Sequence, residues 1–316
     1  MRRLFPVLLL LFVSLSARAA DDATVAVKPV KVGAHSYYVQ GLAGTATAEN
    51  QGFMSNAGFV VTSDGVVVFD TLGTPPLGAE LIRQIRKITR QPIRRVIVSH
   101  FHADHIYGLQ AFKAIGAEIW AHSGGRAYLA SDEAVKRLEQ RRELLFPWVG
   151  ENTRLLPADK WLDGGARFEM GGVHFELHYA GPAHSPEDMV LFVKEDGVLF
   201  SGDLVFKGRI PFVGDADSKA WLAALDRLIE LKPKIVVPGH GAASRNAIAD
   251  LAFTRDYLRY LRESMHKGLD NMEPFDEVYT KTSWKKFEHL PAFAAANRAN
   301  AYNTYLLLET EALHNK

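Results

Sequence analysis

The stretch Val96-Ile97-Val98-Ser99-His100-Phe101-His102-Ala103-Asp104-His105 decides how this chain is read. Val96 to Val98 is a short β-branched run of the kind that forms a buried strand. It leads directly into three imidazoles and one carboxylate within six residues. A loop between such a strand and a following helix can turn alternate side chains toward one point. Neutral imidazole and carboxylate together are the ligands that borderline divalent ions such as zinc prefer. The competing reading, a histidine-rich surface loop, leaves the apolar strand before it without a role.

Three further pieces are of the same kind: Gly181-Pro182-Ala183-His184-Ser185, Ser201-Gly202-Asp203 and Pro238-Gly239-His240-Gly241. Each follows an apolar, strand-like run and sits among small or turn-forming residues, which lets a side chain project inward without crowding. Alone, each is a weak signal. Beside the first cluster they extend the candidate metal set to His100, His102, Asp104, His105, His184, Asp203 and His240.

Outward from these loops, the chain alternates. Lys28 to Val39 is β-prone, and Phe53 to Thr62 with Val66 to Phe69 reads as two strands around Ser63-Asp64-Gly65. Leu77 to Ile88 has helical apolar spacing, Gly108 to Ile115 reads as a helix, Glu118 to Ala121 as a strand, and Ala127 to Leu145 as one charged helix. A second β-rich block covers Phe168 to Met170, Val173 to Tyr179, Met189 to Lys194 and Val198 to Phe200. The helix Trp221 to Leu231 and the strand Ile235 to Val237 follow. This order, β then α and again β then α, predicts an α/β (α+β) chain in which two halves stack as four layers, helix, sheet, sheet, helix. The predicted division is a signal segment over 1–19, a main domain over 20–245 and a C-terminal helical extension over 246–316 packed on that core.

Composition bounds the function. The chain has 316 residues, is 47% hydrophobic and carries 37 basic against 36 acidic residues for a net charge of +1. A sizeable core is therefore available, and with no basic block or aromatic-interleaved basic stripe a small-molecule substrate is expected rather than nucleic acid. Met1-Arg2-Arg3, the apolar run Leu4 to Leu15 and Ala17-Arg18-Ala19 make an export signal cut near Ala19 or Ala20, which places the mature chain in the periplasm or outside the cell. Arg2-Arg3 is also compatible with twin-arginine export. No later apolar segment has spanning length, so no stable membrane span is expected after the signal is removed. Cysteine is absent, which excludes disulfides and thiolate ligands.

With its motifs in order from about Gly52 to Gly241, the sequence resembles the metallo-β-lactamase superfamily. The resemblance implies the four-layer αββα sandwich with one metal held by His100, His102 and His184, a second by Asp104, His105 and His240, and Asp203 bridging both. It also implies that Asp70, at the end of the Val66 to Phe69 strand, steadies the histidine loop from outside the ligand set. Aspartate at 203 matches the glyoxalase II-like hydrolases rather than the lactamases that use cysteine there. His102 departs from the glutamate of the iron flavoprotein branch. The run Asp203 to Arg209 and the stretch Asn297 to Glu309 look most like exported hydrolases found near quinoprotein and sulfur-oxidation systems.

Two zinc ions sharing a water lower its pKa from about 15.7 toward about 7, so that a bridging hydroxide can attack a carbonyl which one metal polarises. A β-lactam, lactone, ester or thioester is the expected substrate, with Asp104 holding the second metal and orienting the nucleophile. Lys207 and Arg209 are candidates for binding a substrate carboxylate, and His122 for lining the site. Trp148, Trp161 and Phe212 could form a substrate wall, although packing explains each of them as well. Two other readings stay open at the level of sequence: a mononuclear iron, persulfide-dioxygenase-like oxidoreductase, and a metal-binding protein without catalysis.

Overall fold

The computed structural model describes residues 22–214 and 216–314, so the predicted signal segment lies outside the described residues. Seven strands form the first sheet in chain order: β1 (Pro29–Lys31), β2 (Ser36–Val39), β3 (Ala57–Val61), β4 (Val66–Phe69), β5 (Ile93–Ile97), β6 (Glu118–His122) and β7 (Lys160–Leu162). β1 to β4 pair antiparallel, and β4 to β7 run parallel, joined by helical crossovers. Five strands form the second sheet: β8 (Ala166–Met170), β9 (Val173–Tyr179), β10 (Met189–Val193), β11 (Val198–Phe200) and β12 (Ile235–Val237).

Side-chain alternation sorts these strands into layers. On β4, Val66 and Val68 face the helices while Val67 and Phe69 face the other sheet; on β11, Leu199 faces helices while Val198 and Phe200 face inward. Both faces are buried, so such strands read in the sequence as continuous apolar runs rather than alternating ones. Three cores result, one on the outer face of each sheet and one between the sheets, giving the four expected layers. The sheets approach closely at Gly58, where a side chain would run into the Phe200 ring.

Helix α1 (Pro75–Ile88), capped by the Thr74 hydroxyl and begun by proline, buries Leu77, Leu81, Ile82 and Ile85 against the first sheet. The short helices α2 (Ala103–Ile106) and α3 (Leu109–Ala114) follow the histidine loop. The single helix expected over Ala127 to Leu145 is two helices, α4 (Gly125–Leu129) and α5 (Asp132–Leu144). Ser131 separates them, because its hydroxyl accepts from Ala134 N at 3.2 Å and starts a new helix. The strand β7 was not foreseen, since three residues are too short to show a period.

On the second sheet lie α6 (Ser218–Glu230), α7 (Ala247–Asp270), α8 (Phe275–Lys281) and α9 (Phe293–His314). Trp221, Tyr257, Leu261 and Leu308 from these helices, with Phe287 from the turn between α8 and α9, share one core with Val190, Leu199 and Val236 of the sheet. Among the described residues no helix is long and apolar enough to cross a membrane.

Candidate metal centre

The ligand-bearing loops follow β5, β9, β11 and β12. Strand directions bring the last three to one edge of the second sheet, since β9 and β11 both run antiparallel to β10 and β12 runs parallel to β11, and the loop after β5 meets them from the first sheet. All seven predicted residues meet there. They form two groups, His100 with His102, His184 and Asp203, and Asp104 with His105 and His240, each with ligand atoms within 4.8 Å of one another.

Asp203 faces both groups. Its Oδ2 lies 3.5 Å from His184 Nε2 and 3.9 Å from His100 Nε2, while its Oδ1 lies 3.2 Å from His105 Nε2 and 3.3 Å from His240 Nε2. Asp104 Oδ2 completes the second group at 3.6 Å from His105 Nε2 and 3.4 Å from His240 Nε2. Within the first group, His184 Nε2 and His102 Nδ1 are 3.0 Å apart.

The outer ring nitrogens are held by the surrounding protein. His105 Nδ1 donates to Asp70 Oδ2 at 2.8 Å, and His240 Nδ1 donates to the Met54 carbonyl at 2.8 Å. His100 Nδ1 is 2.9 Å from Ser99 Oγ, which in turn donates to Asp70 Oδ2 at 2.7 Å. In the neutral ring each of these bonds places the proton on Nδ1, so that Nε2, aimed inward, is the nitrogen open to a metal. Asp70 thus orients one histidine of each group, and Ser99 N donates to its Oδ1 at 2.8 Å to lock the carboxylate.

His100 Nε2, His105 Nε2, Asp104 Oδ2 and Asp203 Oδ1 are buried and have no hydrogen-bond partner. Unsatisfied buried polar atoms are costly, and their convergence fits divalent cations bonded by nitrogen and carboxylate oxygen. Burial, together with the charges of His184 and Arg137, holds His102 down to about 3. Burial likewise brings His184 to about 4. Both rings are therefore neutral and ready to coordinate at physiological pH. Burial would also lower His105, but Asp203, Asp104 and Asp70 outweigh it and raise that ring well above its ordinary value.

Close packing supports the loops. A Cβ at Gly239 would fall inside the van der Waals envelope of Asp203 Oδ1, so only glycine fits before His240. Phe206 stacks on His240 with centroids 5.1 Å apart, and Trp221 meets His184 edge-on at 5.2 Å.

A family model described as the metallo-beta-lactamase superfamily matches residues 50–240. The chain belongs to this superfamily. Among other superfamily relatives, a linear primary-alkylsulfatase from Pseudomonas sp. is 23% identical over 258 residues, covering 68% of this chain and 48% of that protein. The chain therefore spans about half the length of that relative. The type 2 metallo-beta-lactamase of Elizabethkingia meningoseptica is 26% identical over 197 residues, 60% of this chain and 69% of that one. Among solved structures, an inverting sec-alkylsulfatase from Pseudomonas sp. superposes with a TM-score of 0.71 at 19% identity, covering 88% of this chain and 50% of that one. This last likeness concerns the fold alone.

The peripheral candidates of this superfamily member divide. Arg209 is buried, with Nη1 donating to the Gly44 carbonyl at 3.2 Å and Nε lacking a partner. Lys207 instead pairs with Asp250 of α7 at 3.2 Å. His122 stacks flat on Tyr179 at 3.9 Å and takes no part in either ligand group. Trp161 stacks near Phe101 at 5.9 Å, and Trp148 Nε1 donates to the Ala48 carbonyl at 2.8 Å, so both have packing roles. Phe212 is exposed.

Sequence reasoning missed Ser99, the Met54 carbonyl and Asp188. Asp188 accepts from Ser185 N at 2.7 Å and Ser185 Oγ at 2.8 Å, pinning the loop that carries His184. Only Ser99 left a signal, its position directly before His100.

Proposed function

We propose that this protein is an exported dinuclear zinc hydrolase that cleaves an ester-like bond in a small molecule. One observation carries the reading: the two oxygens of Asp203 face two different histidine groups, the arrangement of a carboxylate shared by two ions. His100, His102 and His184 would hold one ion and Asp104, His105 and His240 the other. When bound, such a pair supplies a nucleophile from water at neutral pH and polarises the scissile bond. Asp104 both ligates and orients, while Asp70 and Ser99 keep the histidines in the ligating tautomer. A mononuclear iron oxidoreductase would need only one ligand group, and the complete second group favours two ions.

β-Lactam, lactone, ester and thioester substrates fit this chemistry, and the alkylsulfatase relative adds a sulfate ester. Buried Arg209, with no carboxylate within salt-bridge distance among the described residues, is the candidate contact for an acidic substrate group.

The test is metal analysis of the purified mature protein combined with hydrolysis of a chromogenic cephalosporin, a glutathione thioester, a lactone, an aryl ester and an alkyl sulfate. Two zinc ions per chain with turnover of one of these is the expected result. One iron with substrate-dependent oxygen uptake would replace the hydrolase reading, and metal without turnover would leave a binding protein. Export is checked by N-terminal sequencing of the mature chain, which should begin near Ala20.

A further inference from the structure

Glu187 sits between His184 and strand β10 and belongs to neither ligand group. It is buried. Burying a carboxylate is costly unless its oxygens are hydrogen-bonded, so its partner shows what it is there to hold. That partner is in the other half of the fold: Glu187 Oε1 accepts from the N–H of Phe101, the residue between His100 and His102, at 3.1 Å.

A second bond runs alongside. Met189 N–H donates to the Ser99 carbonyl at 2.8 Å, on the other side of His100. Bonds from 101 to 187 and from 189 to 99 are the pattern that flanks a facing pair in an antiparallel ladder, here His100 and Asp188. The Glu187 carboxylate stands where a backbone carbonyl would be in a continuous strand. Residues 186 and 187 form a turn instead, closed by the bonds that Ser185 N–H and Oγ–H donate to Asp188 at 2.7 and 2.8 Å. A side chain long enough to reach out of that turn completes the pair.

Phe101 is held from its other side as well. Its ring is buried near Trp161, with centroids 5.9 Å apart, and a Cβ at Gly125 would run into it. With the ring packed in the first sheet's core and the amide bonded to Glu187, the backbone that carries His100 and His102 has little freedom. The turn that follows His184 is fixed to the same carboxylate. One side chain therefore joins the two segments that supply His100, His102 and His184. The second group is oriented without it, His105 by Asp70 and His240 by the Met54 carbonyl.

We propose that Glu187 is a positioning residue for one ion only: it sets the spacing between the two histidine segments of the first group, and with it the affinity for the ion held there. The proposal rests on the two-ion reading above and gives the two ions separate supports.

The test uses zinc-free protein and stepwise zinc competition with a chromogenic chelator. Wild type is compared with Glu187→Leu, which keeps the bulk and loses the acceptor, and with Glu187→Gln, which keeps an oxygen acceptor. In the leucine variant one equivalent should bind about 10-fold to 100-fold more weakly, the scale for a lost orienting partner. The other should change less than about threefold, as expected of a site that shares no bond with Glu187. The glutamine variant should restore most of the loss. Combination identifies the affected ion: Glu187→Leu should still weaken binding in a His240→Ala background and have little effect in a His184→Ala background. Amide exchange at Phe101 in the zinc-free protein, followed by NMR, reports the bond itself. It should be faster in the leucine variant and as slow as wild type in the glutamine variant.

Equal weakening of both equivalents, unchanged zinc binding in the leucine variant, or a glutamine variant as weak as the leucine one would each overturn the proposal. If the leucine variant does not fold, Glu187→Asp supplies the comparison. Its carboxylate keeps the charge but falls one methylene short of Phe101, and it should show the same one-ion loss. A wild type that binds a single zinc ion sinks the two-ion reading, and Glu187 is then judged on that ion. Weaker binding together with faster Phe101 exchange supports its positioning role, and wild-type affinity refutes it.

Discussion

Replacing Asp70 by asparagine exchanges one carboxylate oxygen for an NH2 group and should disable both halves of the metal centre. The carboxylate is buried, at a backbone φ of 62° that asparagine tolerates as well as aspartate does, so the fold has no reason to move. Ser99 N–H requires an oxygen at the Oδ1 position, 2.8 Å away. The new NH2 group must then occupy the Oδ2 position, where it faces His105 Nδ1 and Ser99 Oγ at what are now 2.8 and 2.7 Å. A donor there forces His105 to accept at Nδ1 and carry its proton on Nε2. It also reverses the Ser99 hydroxyl, which then donates to His100 Nδ1. Both histidines present N–H where a ligand lone pair is needed. A hydrogen bond to a charged group is worth about 1.5–3 kcal/mol, and loss of such an orienting partner weakens metal binding about 10-fold to 100-fold; the two scales agree. Competition with a chromogenic chelator should show both equivalents weakened by this factor, with circular dichroism unchanged. If both metal equivalents bind Asp70→Asn as tightly as wild type, the relay from Asp70 to the two histidines is wrong.

Ser99→Ala should weaken only the ion held by His100, because the bond between Asp70 and His105 survives; stepwise metal titration would separate the two equivalents. Gly239→Ala drives a methyl group onto Asp203 Oδ1 and should lower metal stoichiometry at a cost of about 1–3 kcal/mol in stability, measured by denaturant unfolding. His102→Ala combined with His240→Ala removes one ligand from each group and should abolish hydrolysis while the sandwich stays folded; activity retained by the pure double variant would refute the assignment. Stripping the metal should stop turnover and lower the melting temperature, since ligand at about 100 times its Kd contributes about 2.7 kcal/mol per site; calorimetric scans with and without chelator read the shift.

The candidate ligands were legible because each loop couples a histidine or aspartate to an apolar run ending just before it, as Val96 to Val98 does before His100. The four layers were legible for a related reason: strands buried on both faces, such as Val66 to Phe69, read as unbroken apolar runs. Helix breaks were less visible. Ser131 looks like any other polar residue in a charged stretch until its hydroxyl is seen to cap Ala134.

Sequence alone could nominate both Lys207 and Arg209 for substrate contact, because two basic residues two apart on one loop are equivalent in one dimension. Only the fold separates them: Asp250, from a helix 43 positions further along, captures Lys207, while Arg209 stays buried without an acidic partner within salt-bridge distance. Chain order likewise says nothing of how Asp203 divides its two oxygens between the two histidine groups. By itself the sequence determined which residue types stand at the strand ends, because strand, turn and ligand are neighbours along the chain. Tertiary structure decided what those residues face, because the facing groups come from distant segments and only packing of the two sheets brings them within a few ångströms.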